Sequence, residues 1–595
     1  MLMKKYDALI IGSGAAAYAV ADSLFNLDVK NILIVAENRL WGTSRNTGSD
    51  KQTYYKISMD GKTPDSPCRM ANDMISGGSA DGVKAYRQAA NSMRCFLRLY
   101  NYGVKFPTDE YGAFPGYKTD HDDTRRATSV GPLTSKLMTE KLEEAVLGKN
   151  GTELLDNRQV VEIITENSRA RGVVALNTLT QEFEVIYAEN VIAATGAPAC
   201  IYENSVYPVS QHGMTGVLLD AGAKLFNYSQ WQYGMASVDF RWNVSGSFMQ
   251  VIPRFVSIDD DGNESEFLFD YFDDINEAYS FVFLKGYQWP FSADRTDFSS
   301  KIDIAVHSET CKGRKVYLDY TKNPKDFDFE KLSDEAKDYL LSTDCLADTP
   351  VKRLEKLNSK AIAVYSRQNI DLYTQKLRIA VCAQHNNGGI YTDEYYETDV
   401  KGLYVIGEAA GSFGLSRPGG SALNDTQTGA LTAAEHIAKN LSSSSSFTFD
   451  TAEYERIKTD FVTDDSKDYS FIAKEMSRCC SFIRDKEKCL ELLSQVNEEI
   501  KNYPLRHRSL SAYFRDRDML LSAKALLVSV INEMEKTGSR GGAVFVSEGR
   551  RIAEDVSYRN FVTVTDGDNV YFEKVKPVPE TDRPFESYLS EMKGG

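Results

Sequence analysis

The sequence predicts an α/β protein in which one doubly wound sheet is interrupted by an α+β insertion and followed by a mainly helical C-terminal region. Three observations predict it. A strand, glycine turn, helix and strand open the chain; a buried strand of the same character returns near residue 403; and helical periodicity takes over after a run of serines at 442–446.

The opening stretch "DALIIGSGAAAYAVADSLF" reads as a buried strand, a tight turn and an alanine-rich helix, and "NILIVAE" reads as the next strand. Gly12, Gly14 and Ala17 have G-x-G-x-x-A spacing, and Glu37 closes the second strand. This is a Rossmann-like dinucleotide site. Glycines let a pyrophosphate approach the backbone at Gly12, Ser13, Gly14, Ala15 and Ala16, where a helix N-terminus stabilises its charge. Glu37, with Asn38 beside it, can accept hydrogen bonds from a ribose diol, which argues against a 2′-phosphate.

Further on, "ELLDNRQVVEIITENSRARGVVALN" alternates like antiparallel strands and includes Val160. "AENVIAATGAP" is a buried strand ending at Ala194, Thr195 and Gly196. From about 226 to 375 the texture turns polar and aromatic, without β-α-β rhythm. "KGLYVIGEAAG" resumes the first pattern and ends in Gly407-Glu408. "GLSRPGGSALND" then places Arg417 before a turn at Gly420 that opens a helix with Ser421, Ala422 and Leu423. The expected domains are 1–225 with 376–440, an insertion over 226–375, and a helical region over 447–595, with the serine run as linker.

Composition narrows the function. A formal charge of −16 and a pI near 5.1 argue against nucleic acid or an anionic membrane surface as partner. Nine cysteines without a C-x-x-C pair provide no disulfide framework and no zinc or iron–sulfur spacing, so no metal is expected. No apolar stretch approaches the roughly 18–20 residues of a spanning helix, and "ALII" is too short for a signal peptide core. A cytoplasmic protein is the expectation.

In this order, "IIGSGAAA", "IAATG", "CAQHNNGGI" and "GLYVIGEAAG…SRPGGSAL" resemble the succinate dehydrogenase/fumarate reductase flavoprotein family, which includes L-aspartate oxidase and the adenylylsulfate reductase flavoprotein subunit. "TGSRGGAVFV" resembles the "ESRGAHYR" segment of the family's C-terminal domain. The resemblance implies FAD as resident dinucleotide, a mobile capping domain formed by the insertion, and hydride transfer at the flavin. It makes Arg417 a ligand of a substrate carboxylate, which suits a bidentate guanidinium. His385 becomes a substrate-polarising group. The amides of Ser421, Ala422 and Leu423 would face the charge of reduced flavin. "TSRNTGSDKQ" stands where respiratory members carry a histidine bonded to FAD. Its lack of histidine implies noncovalent FAD, with Ser44, Asn46, Thr47 and Gly48 near the phosphates or ring.

Two family positions depart from the pattern. Gln232, in "QWQYG", stands where the family carries a histidine, and counting back from "CKGRKVYLD" puts Ile304 where a proton-delivering arginine belongs. Isoleucine cannot donate a proton, so the ordinary fumarate or succinate reaction is not expected. Trp231, Tyr233, Tyr287 and Trp289 suggest a larger or more aromatic substrate. If "SSKIDIAVHSE" is helical, His307 lies one turn from Ile304 and could replace the lost donor, with Lys301 a weaker candidate. The expected protein is an FAD-dependent oxidoreductase acting on an unsaturated acid or enone, exchanging electrons with an external partner such as an iron–sulfur protein. The alternatives are a flavoprotein subunit of an electron-transfer complex and a flavin protein without turnover.

Overall fold

The computed structural model describes residues 5–60, 64–119, 121–441, 447–466 and 468–580; the serine run 442–446 lies outside them. Strand β1 (Lys5–Ile11) leads through the glycine turn into α1 (Ala15–Asn26), and β2 (Ile32–Val35) pairs with β1 in parallel. Parallel strands covered on both faces need continuous apolar runs. Accordingly Ala8–Ile10 and Ile32–Val35 are fully buried, each larger side chain contributing about 1.5–3 kcal/mol by burial.

Strand β3 (Thr152–Leu155) extends the sheet beyond β2. The alternating segment forms β4 (Arg158–Glu166) and β5 (Arg169–Asn177), an antiparallel pair that joins β6 (Phe183–Ala193). Strand β6 also runs parallel to β1. The resulting order is β3-β2-β1-β6-β5-β4.

The insertion builds a second, six-stranded sheet. Strand β7 (Trp231–Ser237) starts it; helices α2 (Ile275–Leu284) and α3 (Lys301–Cys311) follow, then β8 (Lys315–Asp319) and β9 (Leu377–Asn386). The expected boundary at residue 375 falls just before β9, which pairs antiparallel with β7 throughout. The insertion's sheet therefore runs past that boundary and carries His385 directly opposite Gln232.

The chain returns to the first sheet as β10 (Leu403–Val405), parallel to the end of β6, with Leu403 opposite Val191 and Val405 opposite Ala193. Helix α4 (Ser421–Lys439) then packs against α1 through small residues, including Ala430, Ala433 and Ala434. The last long helix, α5 (Leu510–Thr537), belongs to a helical region that ends in a hairpin, Phe561–Asp566 with Asn569–Lys574. That hairpin pairs with Leu225–Phe226, tying the tail to the point where the insertion begins.

Candidate active site

The glycine turn, β2, the end of β6, β10 and the start of α4 surround a cavity of about 320 Å³. One end is walled by Gly12, Ser13, Gly14, Ala15, Ala16, Glu37 and Asn38. Val160, Ala194, Thr195 and Gly196 form a side, and Gln384, His385, Gly407, Glu408, Ala422 and Leu423 close the other end. Gly12 has φ +116°, and a Cβ there would sit 2.5 Å from the Ala194 carbonyl oxygen. The bare backbone is what brings β1 and β6 together under the turn.

The lining fits a dinucleotide. The glycine cradle is open, the α1 N-terminus faces it, and the buried Thr195 hydroxyl has no hydrogen-bond partner among the described residues. Ser44 and Thr47 also line the cavity, and the Ser44 Oγ accepts the Ala15 N–H at 2.9 Å. Asn46 does not join them. It is exposed, and its amide donates to the carbonyls of Leu40 and Gly42, so it holds the loop rather than reaching the cavity. Gly48 packs against Pro132 and Trp242, and Gly420 with Ser421 lies behind the wall that Ala422 and Leu423 form. The amides of Ser421 and Leu423 close turn bonds to Pro418 and Gly420.

Several lining residues carry no local signal in sequence. Gln211 donates to the carbonyls of Thr195 and Ala197 at 2.7 and 2.9 Å and receives the Thr43 hydroxyl. From the C-terminal helix α5 come Phe514, Arg515 and Asp518. Arg515 forms an ion pair with Glu37, so the carboxylate expected at a ribose is also held by a residue almost the whole chain away.

Glu408 stands at the inner end. It accepts a hydrogen bond from the Tyr207 hydroxyl and another from the Asn386 N–H at 3.0 Å. Burial pushes its carboxyl up to about 7, against the lowering pull of those two bonds and of Arg417. His385 Nδ1 lies 3.3 Å from Arg417 Nε and 3.1 Å from Asn387 Oδ1, and its Nε2 is 3.8 Å from Glu408. Burial, then the Arg417 charge, holds this imidazole well below its usual value, so it is neutral.

A second cavity, about 230 Å³, lies on the other side of that group. Gln232, His121, Arg295, Asp294, Ser416 and Arg559 line it. Gln232 is the cross-strand partner of His385 on the same face of the sheet, so β7 and β9 set the two cavities side by side. Arg417, 8% exposed, sits between: its charge acts on Glu408 of the first cavity and on His121 of the second. His121 reaches the cavity from an exposed position in the chain; partial desolvation of its ring first, then Arg295 and Arg417, lower its pKa to about 4.

Here the structure corrects the sequence reading. The segment 301–311 is helical, but His307 lines neither cavity; its ring packs edge-on against Phe482 at 4.9 Å and its Nε2 faces Cys311 Sγ. Aromatic packing decides this: Phe291, which lines the cavity, tilts against the same Phe482 ring at 4.6 Å, so the two phenylalanines stand between His307 and the cavity. Ile304 is partly buried against the core. Two arginines line the cavity: Arg559, and Arg295 in "SADRTD", nine positions before Ile304 in the chain. Trp231 and Tyr233 are core residues bonded to the Tyr228 carbonyl and the Tyr202 hydroxyl. Trp289 lies against Gly234, and Tyr287 reaches Glu335. None of the four aromatics lines the cavity.

Among the described residues no cluster of histidine, cysteine or acidic side chains is arranged for a metal ion, and no helix is long and apolar enough to cross a membrane. Residues 7–423 match the family described as FAD binding domain. An uncharacterized FAD-dependent oxidoreductase of Methanocaldococcus jannaschii is 24% identical over 560 residues, covering 90% of this chain and 93% of that one. A CoM/CoB fumarate reductase subunit of Methanothermobacter marburgensis is 24% identical over 455 residues, 74% of this chain and 73% of the relative. The fold is shared with FrdA of the E. coli quinol fumarate reductase, at TM-score 0.71 and 18% identity over 98% of each chain. The glycine cradle, the dinucleotide-shaped cavity and these matches together establish that the chain belongs to the FAD binding domain family and is an FAD-dependent oxidoreductase.

Proposed function

We propose that the protein interconverts a small unsaturated carboxylic acid and its saturated form, with FAD held noncovalently in the first cavity and the acid in the second. The observation that carries this reading is the pairing of Gln232 with His385 across β7 and β9, with Arg417 bonded to His385, because it joins the two cavities through one shared wall. When bound, FAD supplies hydride exchange with carbon.

The chain's own residues account for the rest. Arg295 and Arg417 are guanidinium forks suited to carboxylate oxygens. Held neutral, His121 and His385 can donate or accept a hydrogen bond at a carboxylate or carbonyl without adding charge. Arg295, on the cavity wall, is the group placed to hand a proton to a substrate carbon, the role that Ile304 could not fill. The small volume and the arginines favour a short acid over a neutral enone. Gln232 alone does not remove four-carbon dicarboxylates from consideration, since its amide can still donate to an oxygen.

The relatives named as FrdA of a quinol fumarate reductase and as a CoM/CoB fumarate reductase subunit support an external redox partner for this chain as well. The test is anaerobic stopped-flow on the dithionite-reduced holoprotein, following flavin absorbance on mixing with fumarate, longer unsaturated acids and uncharged enones. Reoxidation by acids and not by enones is the expected result. Reoxidation by enones alone, or by none of the acids, would overturn the reading.

A further inference from the structure

Arg295 ends a single 3-10 turn, Ala293–Arg295, that belongs to no sheet or α-helix. Its inner side is fixed from within the insertion. The Arg295 carbonyl accepts the N–H groups of Phe298 and Ser300 at 3.0 and 3.1 Å, and Ser292 N–H donates to Ser300 Oγ. At the base, Lys285 and Asp303 form an ion pair of 2.8 Å with both side chains at most 1% exposed.

The outer side is held by a distant part of the chain. The Gly541 carbonyl accepts the Ala293 N–H at 2.9 Å. Arg551 donates to the Ala293 carbonyl at 2.9 Å and to Thr296 Oγ1 at 2.8 Å. Arg559 pairs with Asp294 at 3.2 Å and is itself oriented by two bonds of 2.7 Å to Glu554. Contacts at residues 293, 294 and 296 thus bracket residue 295, while Gly541, Gly542 and Arg559 form the cavity wall facing it.

We propose that the segment 541–559 is a clasp that sets the position of Arg295, with Arg551 and Arg559 as positioning residues. This rests on the reading of Arg295 as a substrate-binding group. An isolated exposed ion pair is worth little. Here the bonds converge on a four-residue stretch, where a shift of about 1 Å in a reacting group can cost on the order of 100-fold in rate.

The test compares the wild-type holoprotein with Arg551→Ala/Arg559→Ala, Arg295→Ala and the neighbouring surface variant Arg550→Ala. The double variant is expected to keep its FAD content and visible spectrum, to lose about 10- to 100-fold in kcat/KM for the accepted acid, and to be nicked by trypsin after Arg295, with substrate suppressing the nick. Arg551→Lys, which keeps the charge, is expected to restore part of the activity. Arg550→Ala is expected to be silent. Unchanged activity and unchanged trypsin resistance in the double variant, with Arg295→Ala inactive, would overturn the clasp and leave the site reading standing. Full activity in Arg295→Ala would overturn the site reading, and trypsin sensitivity alone would then decide the clasp. If the double variant fails to fold, a cycle of Arg551→Lys with Thr296→Val reads the same coupling; additive effects would count against the clasp.

Discussion

In the proposed reaction Arg295, Arg417, His385 and Glu408 are the residues closest to the chemistry. Replacing Arg295 by alanine removes one of the two guanidiniums that line the cavity, and kcat/KM is expected to fall about 10²–10⁴-fold while the flavin spectrum stays unchanged; steady-state assays with the accepted acid read this. Glu408 makes a pH-dependent prediction. Its carboxyl is raised to about 7, so the folded state holds a proton that the unfolded state releases near the ordinary value of 4.5. Stability is therefore greatest below about pH 4.5 and declines as pH rises toward 7, by up to about 3 kcal/mol. Glu408→Gln should show no gain at pH 4.5 and a growing gain up to pH 7, levelling off above, in urea unfolding across that range. At this scale Arg417 and His385 were legible because each sits in a distinctive local stretch. Arg295 and His121 were not, because a single arginine in an aromatic-rich insertion has no local pattern, and only folding brings it to the cavity.

The element scale was the most legible. The glycine turn, β1, α1 and β2 follow from short-range rules of apolar runs and backbone freedom, and β10 with the start of α4 follows the same rules. The prediction proper to this scale concerns the turn. Gly12→Ala would place a Cβ against the Ala194 carbonyl at 2.5 Å, in a backbone conformation that side chains rarely adopt. The variant is expected to purify with little or no FAD, as read from the ratio of flavin to protein absorbance; full flavin content would contradict the assignment of this turn. Texture alone could not locate the end of the insertion. Strand β9 is as apolar as its neighbours on either side, and it belongs to the insertion's sheet because β7, some 150 residues earlier, supplies its hydrogen-bond partners.

Over the whole molecule, the C-terminal region serves both cavities. Helix α5 puts Phe514, Arg515 and Asp518 on the first cavity, and the stretch beyond it reaches the second. Arg515 pairs with Glu37 and lies over the Trp41 ring, fastening the first turns of α5 to the cofactor's expected adenine end. Arg515→Ala should therefore raise the FAD dissociation constant about tenfold, a loss of about 1.4 kcal/mol, measured by quenching of flavin fluorescence during reconstitution. An unchanged constant would assign α5 a purely packing role. By itself the sequence determined the dinucleotide fold and the stretch that forms the cofactor cradle, because those depend on neighbours within a few turns of chain. The tertiary structure decided that Arg295 and not Ile304 or His307 meets the cavity, that Trp231 and Tyr233 are core, and that the C-terminal region lines both pockets. Those outcomes rest on packing and pairing between segments hundreds of residues apart, which no local pattern of residue types encodes.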